Sequence, residues 1–380
     1  MADNMFFSRD TNFVVEIGAN RWAIPVLDGF SFSQATNTSE VTLNEMADAN
    51  GNSRRGRKLF TDSYAPAEWS FSTYARPFKS AGGGTSGKDA SGSANTHHAV
   101  EEVLWAMMAG DAAYSAFNFT GFTKNGTTDV DIAFTSSNKT TLGTANFYFQ
   151  LGGSGEVATV YKITGCVVNE ASVDFDIDGI ATINWSGFGG MISEVAAFPA
   201  ATVEEGQKHT DTSNFIRNRL TSLTMSTADD HLRSTGESND SDTDAENYSV
   251  TLTGGNVTIS NNISFLIPET LGVVNQPLGH VTGTRSVSGS FTCYLNNATD
   301  GSMDLFERII EDTDTITNSF NLLFKIGGGS APRLQMSMPS CHLEVPTHSM
   351  EDIISLETNF HALGTDIQSA DEISLKYVGS

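Results

Sequence analysis

The sequence predicts a mainly β protein: two tandem-duplicated β-barrel or β-sandwich domains, each with one flanking α-helix. Three observations carry this. Charged residues make up only 17% of the 380, Thr, Ser, Asn and Gly dominate, and helical heptads are absent, a pattern of strands joined by polar turns. Apolar residues recur with a period of two, as Phe147, Phe149 and Leu151 do in NFYFQLGG (146–153). That stretch is also spelled twice, returning as NLLFKIGG (321–328) with Asn321, Phe324, Gly327 and Gly328 retained and Leu322, Phe324 and Ile326 on the apolar face.

The other elements repeat in the same order. The first strand, NFVVEIG from Asn12, matches NYSVTLT from Asn247, which carries Phe30 onto Phe265 and Phe32 onto Ile267. SFSTY (70–74) matches SFTCY (290–294). The helix AVEEVLWAMMAG (99–110) matches SMDLFERIIEDT (302–313), with Val103 over Phe306 and Met107 over Ile310. In the first helix Val100, Val103, Leu104, Met107 and Met108 form a stripe suited to covering one side of a sheet, and Gly110 supplies the stop. From Asn146 to Gly189 the match onto Asn321 to Gly364 is gapless, pairing Cys166 with Cys341 and Trp185 with Phe360.

Between these matches the first copy carries longer excursions at 34–68, 79–96 and 111–145, read as loops. The second carries 227–246, with seven acidic residues and one Arg, read as a solvated loop. Periodicity vanishes over 196–212, which sets domains of 1–211 and 212–380. FIRNRLTSLTM (215–225) matches either ISLKYV near the C-terminus or the extreme N-terminus, and is assigned to the second domain.

Composition narrows the function. MADNMFFSRD has no basic start and no apolar core, so no secretory signal is expected, and no apolar run approaches the roughly 20 residues that span a bilayer. Synthesis in a cytoplasm follows, with Cys166, Cys293 and Cys341 as reduced, packed thiols. A net charge of −24 argues against binding nucleic acid by neutralising phosphates.

Chemical motifs are weak. DFDIDG (174–179) begins like a calcium loop, but Trp185 stands where the bidentate Glu belongs, and alternation with Val173, Phe175 and Ile177 suits a strand with one wet, acidic face. GGGTSGKD (82–89) nearly spells a phosphate loop, yet Asp89 replaces the magnesium-holding hydroxyl. His97 and His98 are adjacent, so they point apart, and exposure at the helix entry is expected. No GxSxG or HExxH occurs, and neither enzymatic activity, cofactor nor metal is expected. The basic cluster SRRGRK (53–58) is read as pairing with acidic surface on a neighbouring copy, against a solvated loop without a partner.

The runs AIPVLDGFSFSQATNTSEVTLNE, SRRGRKLFTDSYAPAEWSFSTYARPF, FIRNRLTSLTM and GGNVTISNNISFLIPETLGVVNQPLGHVTGTRSVSGSFTCYL resemble tail tube proteins of tailed bacteriophages. The resemblance implies a structural virion protein of the tail, two tube domains in tandem, trimeric pseudo-hexameric rings stacked into a tube, and DNA passing through the lumen without specific binding. It also implies tape measure, tail terminator and baseplate or tail-tip proteins as partners, and no membrane. The excursion at 34–68 resembles the family's arm, which makes Arg54, Arg55, Arg57, Lys58 and Phe60 candidates for inter-subunit contact, with Trp69, Phe71, Tyr74 and Phe78 near its base and Arg285 in the second copy. A carbohydrate-binding or adhesive β-sandwich is the alternative; it calls for a secretion route and exposed Trp and Asp clusters.

Overall fold

The computed structural model describes residues 6–41, 49–50, 58–79, 97–110, 123–125, 128–134, 142–152, 158–200, 212–227, 247–311, 320–350, 352–366 and 369–379. Its first half contains β1 (Thr11–Ile17), β2 (Asn20–Ala23), β3 (Ser31–Glu40), β4 (Leu59–Tyr74), β5 (Pro77–Lys79), β6 (His97–Ala99), α1 (Glu102–Ala109), β7 (Thr123–Asn125), β8 (Asp129–Ala133), β9 (Ala145–Leu151), β10 (Thr159–Asp176), β11 (Thr182–Gly189) and β12 (Ile192–Val195). The second contains β13 (Ser222–Thr227), β14 (Asn247–Val250), β15 (Leu252–Ser260), β16 (Ser264–Leu266), β17 (Gly279–Val281), β18 (Ser286–Tyr294), α2 (Ser302–Glu311), β19 (Phe320–Ile326), β20 (Arg333–Leu343), β21 (Thr347–Ser349), β22 (Ser355–Ala362) and β23 (Ser374–Val378). The architecture is mainly β, of sandwich type, with two α-helices among the described residues.

β10 organises the fold. Its first part pairs with β9 and β12, its second with β11 and β15. Register shifts between Ile163 and Cys166 and between Val168 and Glu170 bend it, as bulges do, so that one strand serves two sheets. The pairing with β15 joins the halves: a single run β3-β4-β11-β10-β15-β18-β22 crosses both.

The hairpins spelled alike are folded alike. Phe149 faces Tyr161 as Phe324 faces Met336, and both ladders shift so that Ala145 faces Cys166 and Phe320 faces Cys341. Each of these thiols donates to the carbonyl three residues earlier, Ile163 and Met338. All three cysteines are free and buried, and burial pushes the Cys341 thiol up to about 12.

Two sequence matches shift in space. β1 lies between β2 and β9, whereas β13 lies between β14 and β19, so β13 takes the place of β1 and NYSVTLT begins in the place of β2. Gly187 faces Trp69 in the first half and Phe360 faces Gly289 in the second. Position by position, Gly187 rather than Trp185 therefore coincides with Phe360. The connection from β21 to β22 is two residues shorter than its first-half counterpart, a deletion that a gapless alignment absorbs silently. Glycine is required in both pairs, because a Cβ on Gly187 would enter the Trp69 ring and one on Gly289 the Phe360 ring.

Aromatic packing fills the core. Phe13 stacks on Phe149 at 4.9 Å and meets Phe147 edge-on at 5.1 Å, while Phe324 contacts Phe360 at 5.8 Å in the second half. Phe175 reaches across to Phe324 at 5.2 Å, making the core continuous. Each such ring contributes about 2–3 kcal/mol by leaving water.

Several expectations need correction. The 34–68 excursion is largely a β-hairpin, β3 with β4. The 111–145 excursion supplies β8, which pairs with β23 of the second half and is tied to it by Lys376 reaching Asp129 and Asp131 at 3.4 and 3.1 Å. Residues 80–96, 201–211 and 228–246, with GGGTSGKD and nearly all of the acidic excursion, lie outside the described residues. α1 does not cover a sheet with one stripe; it is buried on every side, Glu102 included, and ends where Gly110, at φ 75°, donates to Ala106 O. His97 and His98 are buried rather than exposed, because β6 pairs with β5 and α1 follows it into the core.

A buried polar network holds α1 to β23. Tyr377 Oη donates to Glu101 Oε1 at 2.5 Å and accepts from Trp105 Nε1 at 2.8 Å, and His98 Nδ1 lies 3.0 Å from Glu102 Oε2. Burial pushes the Glu101 carboxyl from 4.5 up to about 7, against hydrogen bonds from Tyr377 and the backbone and the nearby Arg76 charge. The folded state therefore keeps this proton between pH 4.5 and 7 while the unfolded chain releases it, so this group's contribution to stability falls as pH rises across that window. Glu101→Gln keeps an acceptor for Tyr377 and removes the titration. The wild type should lose on the order of 3 kcal/mol relative to Glu101→Gln between pH 4.5 and 8, measured by urea unfolding; parallel pH profiles would refute this.

Candidate assembly surfaces

Two surfaces have the character of contact or passage sites. The first is a pair of projecting arms. β3 and β4 continue past the sheet as an exposed hairpin, held by Asn37 Nδ2 donating to Ser63 Oγ at 2.8 Å and by Ser39 Oγ donating to Asp62 Oδ2 at 2.5 Å. Beside it stands the segment 262–285, built on the β16–β17 hairpin. The arms are joined: Tyr64 N donates to Asn275 O at 2.9 Å and Asn275 N to Asp62 O at 3.1 Å. Both carry bare apolar side chains. Leu271 is 99% and Leu278 74% exposed, with Val273 exposed on the same arm and Leu59 and Phe60 exposed on the first. Exposed apolar side chains concentrated on two joined projections in a chain this polar have the marks of a contact surface.

The second surface is the outer face of the run β3-β4-β11-β10-β15-β18-β22. One side of each strand enters the core; the other presents Ser70, Ser72, Asn184, Asp174, Asn256, Ser288, Ser290, Glu357 and Asn359. Neighbours bond across it, Ser72 Oγ to Asn184 Oδ1 at 2.6 Å, Asn184 Nδ2 to Asp174 Oδ2 at 2.7 Å and Asn359 Nδ2 to Glu344 Oε2 at 2.8 Å. β3, β4, β11, β15, β18, β22 and the 170–176 portion of β10 contain no Lys or Arg. A shallow depression lined by Ser31, Ser33, Glu68 and Ser186 opens here, and Ser31 Oγ and Ser70 Oγ bond to each other at 2.9 Å within it.

The residues singled out from sequence separate clearly. Arg54, Arg55 and Arg57 lie outside the described residues. Lys58 and Phe60 are exposed on the first arm, the ammonium 5.2 Å from the ring centroid. Trp69, offered as a contact residue, is instead 2% exposed in the core, its indole donating to Phe188 O at 3.1 Å. Phe71 and Phe78 are likewise buried. Tyr74 is half-buried against Phe215, edge-on at 5.2 Å. Asp174 and Asp176 face water while Val173 and Phe175 enter the core, as the alternation predicted; Asp178 turns instead to Arg219 at 3.3 Å. Among the described residues no group of three metal-ligating side chains converges. The apolar arm of the second half was missed, although LIPETLGVVNQPLGHV, with its apolar residues between Pro and Gly turns, carries the signal.

Arg285 is an internal clamp. It pairs with Glu372 at 2.5 Å, donates to Phe134 O at 2.9 Å and Ala370 O at 2.8 Å, and lies over the Phe134 ring. Every one of these partners is in the same chain, so Arg285→Ala should cost about 3 kcal/mol by stranding a largely buried carboxylate. Urea unfolding of dilute single chains should record this loss; an unchanged midpoint would remove the clamp role.

Residues 75–362 match the family model for phage tail tube protein. The chain is 29% identical over 362 residues to the tail tube protein pb6 of Escherichia phage T5, across 93% of this chain and 70% of that protein. No helix among the described residues is long and apolar enough to cross a membrane. With its sandwich of strands, its projecting arms and a match over most of its length, the chain belongs to the phage tail tube protein family, a structural component of the virion tail.

Proposed function

We propose that this chain is a tandem duplicate whose halves, 1–211 and 212–380, fill two of six similar places in a ring of three copies, and that the rings stack into the conduit through which DNA is ejected. The observation that carries this reading is the wide sheet face without a single Lys or Arg. A duplex carries one negative charge per roughly 1.7 Å of axis and is held by cationic side chains; a wall of hydroxyls, amides and carboxylates gives it no such grip. Assigning that face to the lumen lets DNA slide without specific binding.

The matching registers of the β9–β10 and β19–β20 hairpins support the duplication. The arms, including Lys58 and Phe60, suit contacts between successive rings, with Arg54, Arg55 and Arg57 meeting the acidic surface of a neighbour. Tape measure, tail terminator and baseplate or tail-tip proteins would then meet the ends of the tube. The role is structural, without catalysis. A ring built head to tail and stacked without closure makes an open filament, for which a repeated unit is a natural subunit.

Electron microscopy of the purified protein should reveal rings or tubes about as wide as six half-chains arranged in a circle; a protein that stays a single copy at high concentration sinks the reading. Reversing Arg54, Arg55 and Arg57 to Glu should shorten tubes without shifting the melting temperature. Replacing Asp174 and Asn256 by Lys should leave tubes intact yet slow DNA release in phage carrying the variant, an effect that weakens with added salt as phosphate contacts do. Release at the wild-type rate would place this face elsewhere.

A further inference from the structure

The arm 262–285 belongs to the second half by sequence, yet its hold on the body is made with the first. Its two ends are clipped to each other. Gly283 N donates to Asn261 O at 3.2 Å and Asn262 O at 3.0 Å, and Asn262 Nδ2 donates to Thr284 O at 2.7 Å. Asn262 takes φ 48°, a left-handed conformation that asparagine tolerates better than most residues, and a Cβ on Gly283 would press into the Asn262 carbonyl. The chain leaves and returns through one narrow neck.

That neck is docked on the first half by carboxamides. Asn261 is 4% exposed, and its Nδ2 donates to Met108 O at 3.1 Å and Val168 O at 3.2 Å. Met108 O lies in the last turn of α1, where carbonyls have no partner within the helix, and Val168 stands at the register shift of β10. One side chain thus ties the neck to a helix end and to a bulge. Asn169, inside that shift, offers Oδ1 to Ile263 N and its carbonyl to Asn261 N, both at 2.8 Å. Farther out, Phe265 lies 6.4 Å from Phe188 and 6.2 Å from His280, and His280 Nε2 accepts from Leu142 N at 3.1 Å. The residues that receive the arm here belong to the first half, as do Tyr64 and Asp62, which hold Asn275.

The first arm has an anchor of the same kind. Gln34 Nε2 donates to Ala65 O and Gly190 O, both at 2.9 Å, and its Oε1 accepts from Ile192 N at 3.1 Å. We propose that Asn261 and Asn169 are positioning residues that fix the direction in which the second arm leaves the body, and so the rotation of one ring on the next. Directional bonds in a buried site admit few geometries, whereas apolar contacts tolerate sliding, so the direction is set at the neck rather than along the arm. The step to ring rotation rests on the ring reading proposed above; the direction of the arm does not.

Nitroxide labels on Leu271→Cys, on the arm, and Ser193→Cys, on β12, report that direction in dilute single chains, because Cys166, Cys293 and Cys341 are buried and escape labelling. The distance distribution should be narrow, and Asn261→Ala should widen it about twofold. Asn169→Ala, at a half-buried position where the fold loses less, should do the same and speed amide exchange at Ile263 about tenfold. Asn169→Asp keeps the acceptor and should leave both readings as they were. A lower melting temperature with an unchanged distribution would make the asparagines structural only and overturn the assignment. So would a distribution already broad before substitution. In assembled tubes, electron microscopy should find the rotation between rings more scattered in the alanine variants; one rotation shared by every variant overturns the role in stacking. A protein that never assembles overturns the ring reading and that role together, and the distances still decide the arm's direction.

Discussion

The antiparallel pairing of β10 with β15, Glu170 to Asp176 against Gly254 to Ser260, is the interaction on which the rest of the structure depends. It requires an 18-residue strand that begins in one sheet and ends in another, and the register shifts on either side of Cys166 are what bend it there. Without this pairing each half would be a short, open sheet with an unpaired edge. With it, the polar face runs unbroken across the chain and Phe175 closes the core over Gly255.

The halves are joined a second time through polar groups. Glu101, Glu102, His98 and Tyr377 are buried together, where unpaired they would each be costly. Such a network adds less net stability than it adds alignment, because its hydrogen bonds form only when α1 and β23 sit in one relative position. β8 adds to this, since a segment from the first half is a strand in the second half's sheet. The 111–145 excursion of the first half is therefore partly a structural member.

In the proposed ring this asymmetry has a use. A chain whose halves were equally closed could not accept a neighbour, and one whose halves were equally open would have no rigid unit to repeat. Among the described residues β3 and β21 are each paired along one edge, so the ends of the chain differ from its internal junction.

The sequence by itself determined the strand content, the apolar faces and the kinship of the hairpins, because these follow from a two-residue period and from glycines at fixed places. NFYFQLGG and NLLFKIGG read as the same wall from their residues alone, and Asp174 with Val173 as the two sides of one strand. Tertiary structure alone decided which edges meet. Nothing local tells β10 to leave β9 for β15, or the 111–145 excursion to give β8 to the far sheet, since hydrogen bonding between strands is blind to side-chain identity. The same ignorance misplaced Trp69, Arg285 and the histidines. An aromatic, a guanidinium or an imidazole beside a predicted loop is spelled alike whether it faces a neighbour or the chain's own core, and only the path of the backbone separates the two.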